Sequence, residues 1–295
     1  MARCARSPSI CKPFEQHTAA VSASFELGWL GPELDRCREL IARHSEPTRW
    51  EKSSSHGAAQ VVTEVDLAVE RLLIDAVGAR MPTATVVSEE SHPDPAALAS
   101  DVCFVIDPID GTEEFAAGRP NYAISIALLQ HGRPAAAVLD LPAHDQRFEC
   151  SAGSGTRLNG SSVKLSRVQS VSEARIAVSA TQLDSAHLRP FWTSVGAVEL
   201  RPTPAFAAKF AAVLAGQCDA ALYLHVRPHR TAIWDYAAAA LLLDEAGGRF
   251  LSTDGADLLR ERPFLYTGGW VASPPALQDE LLTLARTSGR YGATT

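Results

Sequence analysis

The apolar run Val102-Cys103-Phe104-Val105-Ile106 ends in Asp107-Pro108-Ile109-Asp110-Gly111-Thr112. A strand-like segment thus delivers two carboxylates three positions apart, with a proline fixing the backbone between them. Aspartate is a poor residue for the end of a buried strand unless something offsets its desolvation, and a divalent cation held by oxygen does so. A fold for this chain has to bury that strand and bring its acidic end to a place where the charge is compensated. Further acids stand at Thr63-Glu64-Val65-Asp66, Ser88-Glu89-Glu90 and Trp234-Asp235. Together they read as a carboxylate cage for hard metal ions, and so as metal-assisted phosphate chemistry.

The pattern around these acids is layered α/β. Leu34, Cys37, Leu40 and Ile41 mark one face of a helix that ends near His44, and 52–57 reads as a polar loop. Thr63 is the N-cap of a helix running towards Gly78, with Asp66 at the capping-box position. Strands are expected at 85–87 and 103–106, each running into an acidic cluster. A short helix is expected from Glu113, followed by strands at 122–129, 135–139, 147–150 and 162–165. After Ser166 the spacing predicts a strand over 175–179, partial helix over 183–195, a helix carrying Phe206, Phe210, Val213 and Leu214, and a strand over 220–224. Asp235 then opens an alanine- and leucine-rich helix that stops at Gly247-Gly248. The expected organisation is a disordered tail over 1–30, an α+β domain with most metal ligands over 31–165, an α/β domain with Asp235 over 166–285, and a flexible tail over 286–295.

Composition narrows the classes. A chain of 295 residues with 46% apolar and 21% charged residues is an ordinary globular protein, and its net charge of -7 offers no broad surface for polymeric nucleic acid. The six cysteines are scattered, with no CxxC pair; Cys103 and Cys218 sit among apolar residues as buried free thiols, and a reducing cytoplasm is expected. The apolar run over 237–243 is too short to span a bilayer, and Arg3, Arg6 and Lys12 lead into no apolar signal core.

Taken singly, each acid has a plainer use. Thr63 and Asp66 can simply cap a helix, Glu89-Glu90 can be a solvated pair, Asp235 can be an N-cap, and Trp234 suits core packing. In this order, however, Thr63 to Asp66, Glu89-Glu90, Asp107 to Thr112, and Trp234-Asp235 with Glu245-Ala246-Gly247-Gly248 resemble the lithium-sensitive, magnesium-dependent inositol monophosphatase superfamily, which includes the bisphosphate nucleotidases. The resemblance covers roughly residues 34–284. It implies a layered αβαβα fold and a phosphomonoesterase that uses a metal-activated water, without a phosphoenzyme. It also implies two or three Mg²⁺ ions, a small phosphorylated metabolite as partner, and a possible homodimer.

Carried over residue by residue, Glu89, Asp107 and the Ile109 carbonyl would hold one ion, and Asp107, Asp110 and Asp235 a second. Glu89 and Asp66 would approach a third through water. Asp66 and Thr112 would position the attacking water, the Gly111 and Thr112 N–H groups would grip the phosphate, and Glu90 would orient a neighbouring ligand. For the substrate, Asp110-Gly111-Thr112-Glu113-Glu114-Phe115 is similar to the 3'(2'),5'-bisphosphate nucleotidase branch, with Lys209 and Arg227 as cations for a second phosphate. Pro228 stands where inositol phosphatases carry a glutamate for sugar hydroxyls, and Pro204-Ala205-Phe206-Ala207-Ala208 lacks the small polar approach of the nucleotidases. A nucleotidase is the first expectation; an inositol or sugar monophosphatase is the alternative, and a non-catalytic regulatory protein is a third.

Overall fold

Alternating faces of two sheets account for the arrangement of the chain in the computed structural model, which describes residues 26–44, 48–53, 59–91, 94–225 and 230–288. The larger sheet has seven strands in chain order, from Thr85–Ser88 and Val102–Asp110 to Ser161–Ser162. Its first pair is parallel and the rest form an antiparallel meander. The smaller sheet has five strands in the order Glu199–Pro202, Arg175–Val178, Ala220–Tyr223, Trp270–Ser273 and Arg249–Ser252.

Three apolar clusters cover the four sheet faces. Phe104, Ile106 and Ile109 pack outward with Leu34 and Ile41 of the Gly31–Arg43 helix and with Val69 and Leu73 of the Glu64–Arg80 helix. Cys103 and Val105 point the other way, into a cluster shared with the Phe206–Leu214 and Ile233–Glu245 helices. That cluster continues through Ala177, Ala221 and Ala272 of the smaller sheet, small side chains that let the helices approach closely. Their strand neighbours Ile176, Val178, Leu222 and Val271 face outward, onto the Arg189–Val195 and Pro275–Thr287 helices. This period of two produces five layers, αβαβα, as the sequence pattern and the resemblance lead one to expect. No helix among the described residues is long and apolar enough to cross a membrane.

Several expectations need correcting. Lys52 lies in a strand rather than a loop, because Arg49–Ser53 pairs antiparallel with Ala59–Thr63. The strand expected over 162–165 is only Ser161–Ser162. Structure begins before Gly31, with Leu27 and Leu30 buried, and the last helix runs to Thr287. The helix over 275–287 was readable from Pro275 at its start and from Leu277, Leu281, Leu282 and Ala285 on one face. Cys103 and Cys218 are buried and free.

Candidate metal and phosphate site

A bulge in the Val102–Asp110 strand builds the acidic rim. Residues three apart on a regular strand face opposite sides, so Asp107 and Asp110 should diverge. Asp107 pairs with Ser125 and Asp110 with Ala123, which leaves Pro108 and Ile109 opposite the single residue Ile124. The extra residue flips the alternation. Ile109 joins the outer core, and both aspartates face the central helices. Proline suits this place because it has no N–H to contribute to the interrupted ladder.

Glu89 follows the parallel neighbour strand Thr85–Ser88, and its N–H donates to the Ile106 carbonyl at 3.2 Å. Asp235 enters from the other side, at the third residue of the Ile233–Glu245 helix, where it accepts from the Ala232 N–H at 2.6 Å. Carboxylate oxygens of Glu89, Asp107 and Asp235 lie within 4.8 Å of one another. Burial first, and then the charges of Glu89, Asp110 and Asp235, hold the Asp107 carboxyl well above the usual range. Asp235 is raised by burial and by Glu89 and Asp110. The Asp107 Oδ1 atom is buried with no hydrogen-bond partner. An all-oxygen donor set with an orphaned buried oxygen fits a hard divalent ion.

Asp110 links the two sheets. Its Oδ2 accepts the Ala207 N–H at 2.7 Å, at the start of a helix whose preceding residue, Ala205, has no side chain able to cap it. Burial pushes Asp110 up to about 6, opposed by the Ala207 and Phe206 N–H groups and by the Lys209 charge. Asp66 is also buried. It accepts from the Thr63 N–H at 2.9 Å and from the Thr63 hydroxyl, closing the capping box of the Glu64–Arg80 helix. Its other oxygen lies 2.9 Å from the Thr112 hydroxyl, which is also 3.0 Å from the Ile109 carbonyl. Burial raises the Asp66 carboxyl, and the bonds from Thr63 and Thr112 hold it back. Gly111 turns the chain at φ +86°, where a Cβ would stand 2.8 Å from Ala205 Cβ and from the Asn121 carbonyl. Only glycine meets both demands.

Glu89, Asp107, Asp110, Gly111, Thr112 and Asp235 line a cavity of about 450 Å³ together with Ser179, Thr181, Phe206, Tyr223, Trp270 and the exposed Arg230. Sequence reasoning did not single out Ser179, Thr181, Tyr223 or Trp270. It also missed Glu70, whose buried carboxylate accepts the Glu90 and Ser91 N–H groups at 3.2 and 2.9 Å and so holds the turn that carries Glu89. The signal was available, since Glu70 stands one helical turn after Asp66 on the same face.

The model of the inositol monophosphatase family matches residues 34–290. The chain belongs to that family. It is similar to the Nus factor SuhB of Escherichia coli (strain K12), 31% identical over 252 residues that cover 84% of this chain and 90% of the relative. It is also similar to the inositol-1-monophosphatase of Bacillus subtilis (strain 168), 29% identical over 201 residues, or 66% of this chain and 73% of that one. The solved IMPase of Thermotoga maritima shares the fold, with a TM-score of 0.76 over 90% of this chain and 99% of its own at 22% identity. The protein is therefore a phosphomonoesterase of the inositol monophosphatase family, which acts on small phosphorylated substrates and depends on metal ions.

Against the family frame, the two cations expected to meet a second phosphate fare differently. Lys209 is 3% exposed, and its ammonium donates to the Pro204 and Ala205 carbonyls. Burial lowers it to about 8, opposed by Asp110 and Glu114. It braces the 204–205 segment through two of its three N–H groups and lines the cavity. Arg227 and Pro228 lie outside the described residues. None of the three relatives above carries the name of a bisphosphate nucleotidase.

Proposed function

We propose that this member of the family hydrolyses a small phosphate monoester by direct attack of water, with a pair of Mg²⁺ ions and a third, weaker one at the acidic rim. The observation that carries this reading is the buried, unpartnered Asp107 oxygen among Glu89, Asp110 and Asp235. Glu89, Asp107 and the Ile109 carbonyl would hold one ion, and Asp107, Asp110 and Asp235 the other. Bound there, the ions would shield the phosphoryl oxygens, acidify a water and stabilise the leaving oxygen.

The chain's own groups would do the rest. With its proton directed to Asp66, the Thr112 hydroxyl leaves lone pairs to accept a hydrogen bond from the attacking water. As the new P–O bond forms, a proton passes from water through Thr112 to Asp66, whose raised carboxyl is suited to hold it. The ester P–O bond breaks, and the alcohol leaves with a proton from solvent. The Gly111 and Thr112 N–H groups would bind the phosphate, and Glu70 would keep Glu89 and Glu90 in register.

For the leaving alcohol, the names of the relatives support inositol. A 3'(2'),5'-bisphosphate nucleotide is the second reading, favoured by the aromatic side of the cavity. The deciding assay is Mg²⁺-dependent phosphate release from inositol 1-phosphate, 3'-phosphoadenosine 5'-phosphate, fructose 1,6-bisphosphate and histidinol phosphate, with Asp110→Asn alongside. Release that is lost on chelation and in the variant is expected. Release that survives either treatment overturns the metal mechanism.

A further inference from the structure

The N–H groups proposed to bind the phosphate belong to Gly111 and Thr112, and a glycine has no Cβ to restrict its own backbone. The Gly111 φ of +86° therefore has to be held by its surroundings. Two segments close on it. A Cβ at Gly111 would stand 2.8 Å from the Ala205 Cβ and 2.8 Å from the Asn121 carbonyl. Ala205 follows the strand Glu199–Pro202 of the smaller sheet, and Asn121 precedes the strand Ala123–Gln130 of the larger one. The turn is thus confined by pieces of both sheets.

Each segment is tied down by one buried charge. Lys209 donates to the Ala205 carbonyl at 3.0 Å and to the Pro204 carbonyl. Glu114, 8% exposed, accepts the Asn121 amide at 3.2 Å and Arg119 Nε at 2.8 Å. Its own carbonyl accepts the Arg119 N–H at 2.9 Å, so the chain from Glu114 to Asn121 folds back on itself. Lysine and glutamate are rarely buried unless their charges are met. Here the Asp110 and Glu114 carboxylates offset part of what burial costs the Lys209 ammonium. The two side chains have opposite charges, yet each holds the segment that walls the same glycine.

We propose that Lys209 and Glu114 are paired positioning residues that fix the Gly111 turn, so that the Gly111 and Thr112 N–H groups meet a phosphate in one geometry. The pairing rests on the reading of those N–H groups as phosphate ligands. Its test is calorimetric binding of inorganic phosphate to the Mg²⁺-loaded protein, with Mg²⁺ affinity and kcat/KM measured beside it. Lys209→Met and Glu114→Met should each weaken phosphate about tenfold or more and leave Mg²⁺ affinity unchanged. The sign at Glu114 decides the matter. Acting through charge alone, loss of this carboxylate would tighten an anion, whereas a slack turn weakens it. Glu114→Gln keeps an acceptor for Asn121 while Arg119, with its side chain 54% exposed, can turn to water, so this variant should bind phosphate nearly as the native protein does. Should Lys209→Met fail to fold, the two Glu114 variants carry the test. Tighter or unchanged phosphate binding in Glu114→Met, an equal loss of Mg²⁺ affinity, or a loss confined to esters with a second phosphate overturns the pairing. Phosphate binding that weakens as expected in a protein that hydrolyses no ester supports the pairing and overturns the hydrolytic reading. Native turnover that both methionine variants retain in full overturns the pairing alone, and absence of Mg²⁺-dependent phosphate binding in the native protein overturns the phosphate site with it.

Discussion

Asp140 and Asp107 lie in the same sheet, two strands apart, at 0% and 1% exposure, yet they face opposite layers and have opposite fates. Asp140 points to the outer helix, where Arg38 grips both its oxygens at 2.9 and 2.7 Å and Arg147 adds a bond of 3.0 Å. The Asp140 carboxylate raises the Arg38 guanidinium, so the charges hold one another. Asp107 points to the central layer, where its neighbours are other acids and one of its oxygens has no partner. A buried carboxylate met by arginine is a tie between elements. One met by carboxylates is an oxygen donor set suited to a cation, and the difference is which face of the sheet each residue occupies.

The contrast can be broken in three ways. Asp140→Ala should cost about 3–5 kcal/mol of folding stability, because it leaves the guanidinium groups without their buried partner. A loss under about 1 kcal/mol in urea unfolding would rank the network with exposed ion pairs. Asp107→Asn should lower metal-dependent phosphate release by at least about 100-fold, as loss of a group that stabilises transition-state charge does. The metal-free variant should be as stable as the native protein or more so, because like-charge repulsion is relieved. If Asp107→Asn also unfolds the protein, the two aspartates are both structural.

The third test sharpens the comparison through pH. Asp110 rises from its ordinary value of 3.8 to about 6 on folding, so the folded state binds this proton more tightly than the unfolded chain does. That contribution is fully present below about pH 4 and is lost as pH rises through 6. The raised Asp107 and Asp235 carboxyls extend the loss upward. In chelator, Tm should therefore fall between pH 4.5 and 8. Added Mg²⁺ should flatten the curve, separating the two by a few degrees at the upper end. Parallel curves with and without the ion would remove the cation from the account.

Local pattern was enough for much of this. The capping box at Thr63 and Asp66, the strands that lead to Glu89 and carry Asp107, and the Phe206 and Ile233 helices are short-range consequences of side-chain period and end chemistry, so they stand in the chain to be read. The strands 199–202, 249–252 and 270–273 were not read from the sequence, and their pairing depends on partners distant in the chain. The sequence by itself determined which acids exist, on which elements, and that a proline interrupts the strand between two of them. Only the tertiary structure decided that the interruption is a bulge that turns Asp107 and Asp110 to one side, and that Asp110 receives the N–H of a helix 97 residues away. It also decided that Lys209 is buried and donates to two backbone carbonyls, that Arg38 meets Asp140, and that Phe206 lies at the cavity wall. The physical reason is common to all of these: a charge or a ring takes its role from what surrounds it after burial, and that environment is assembled by contacts between residues far apart in the chain.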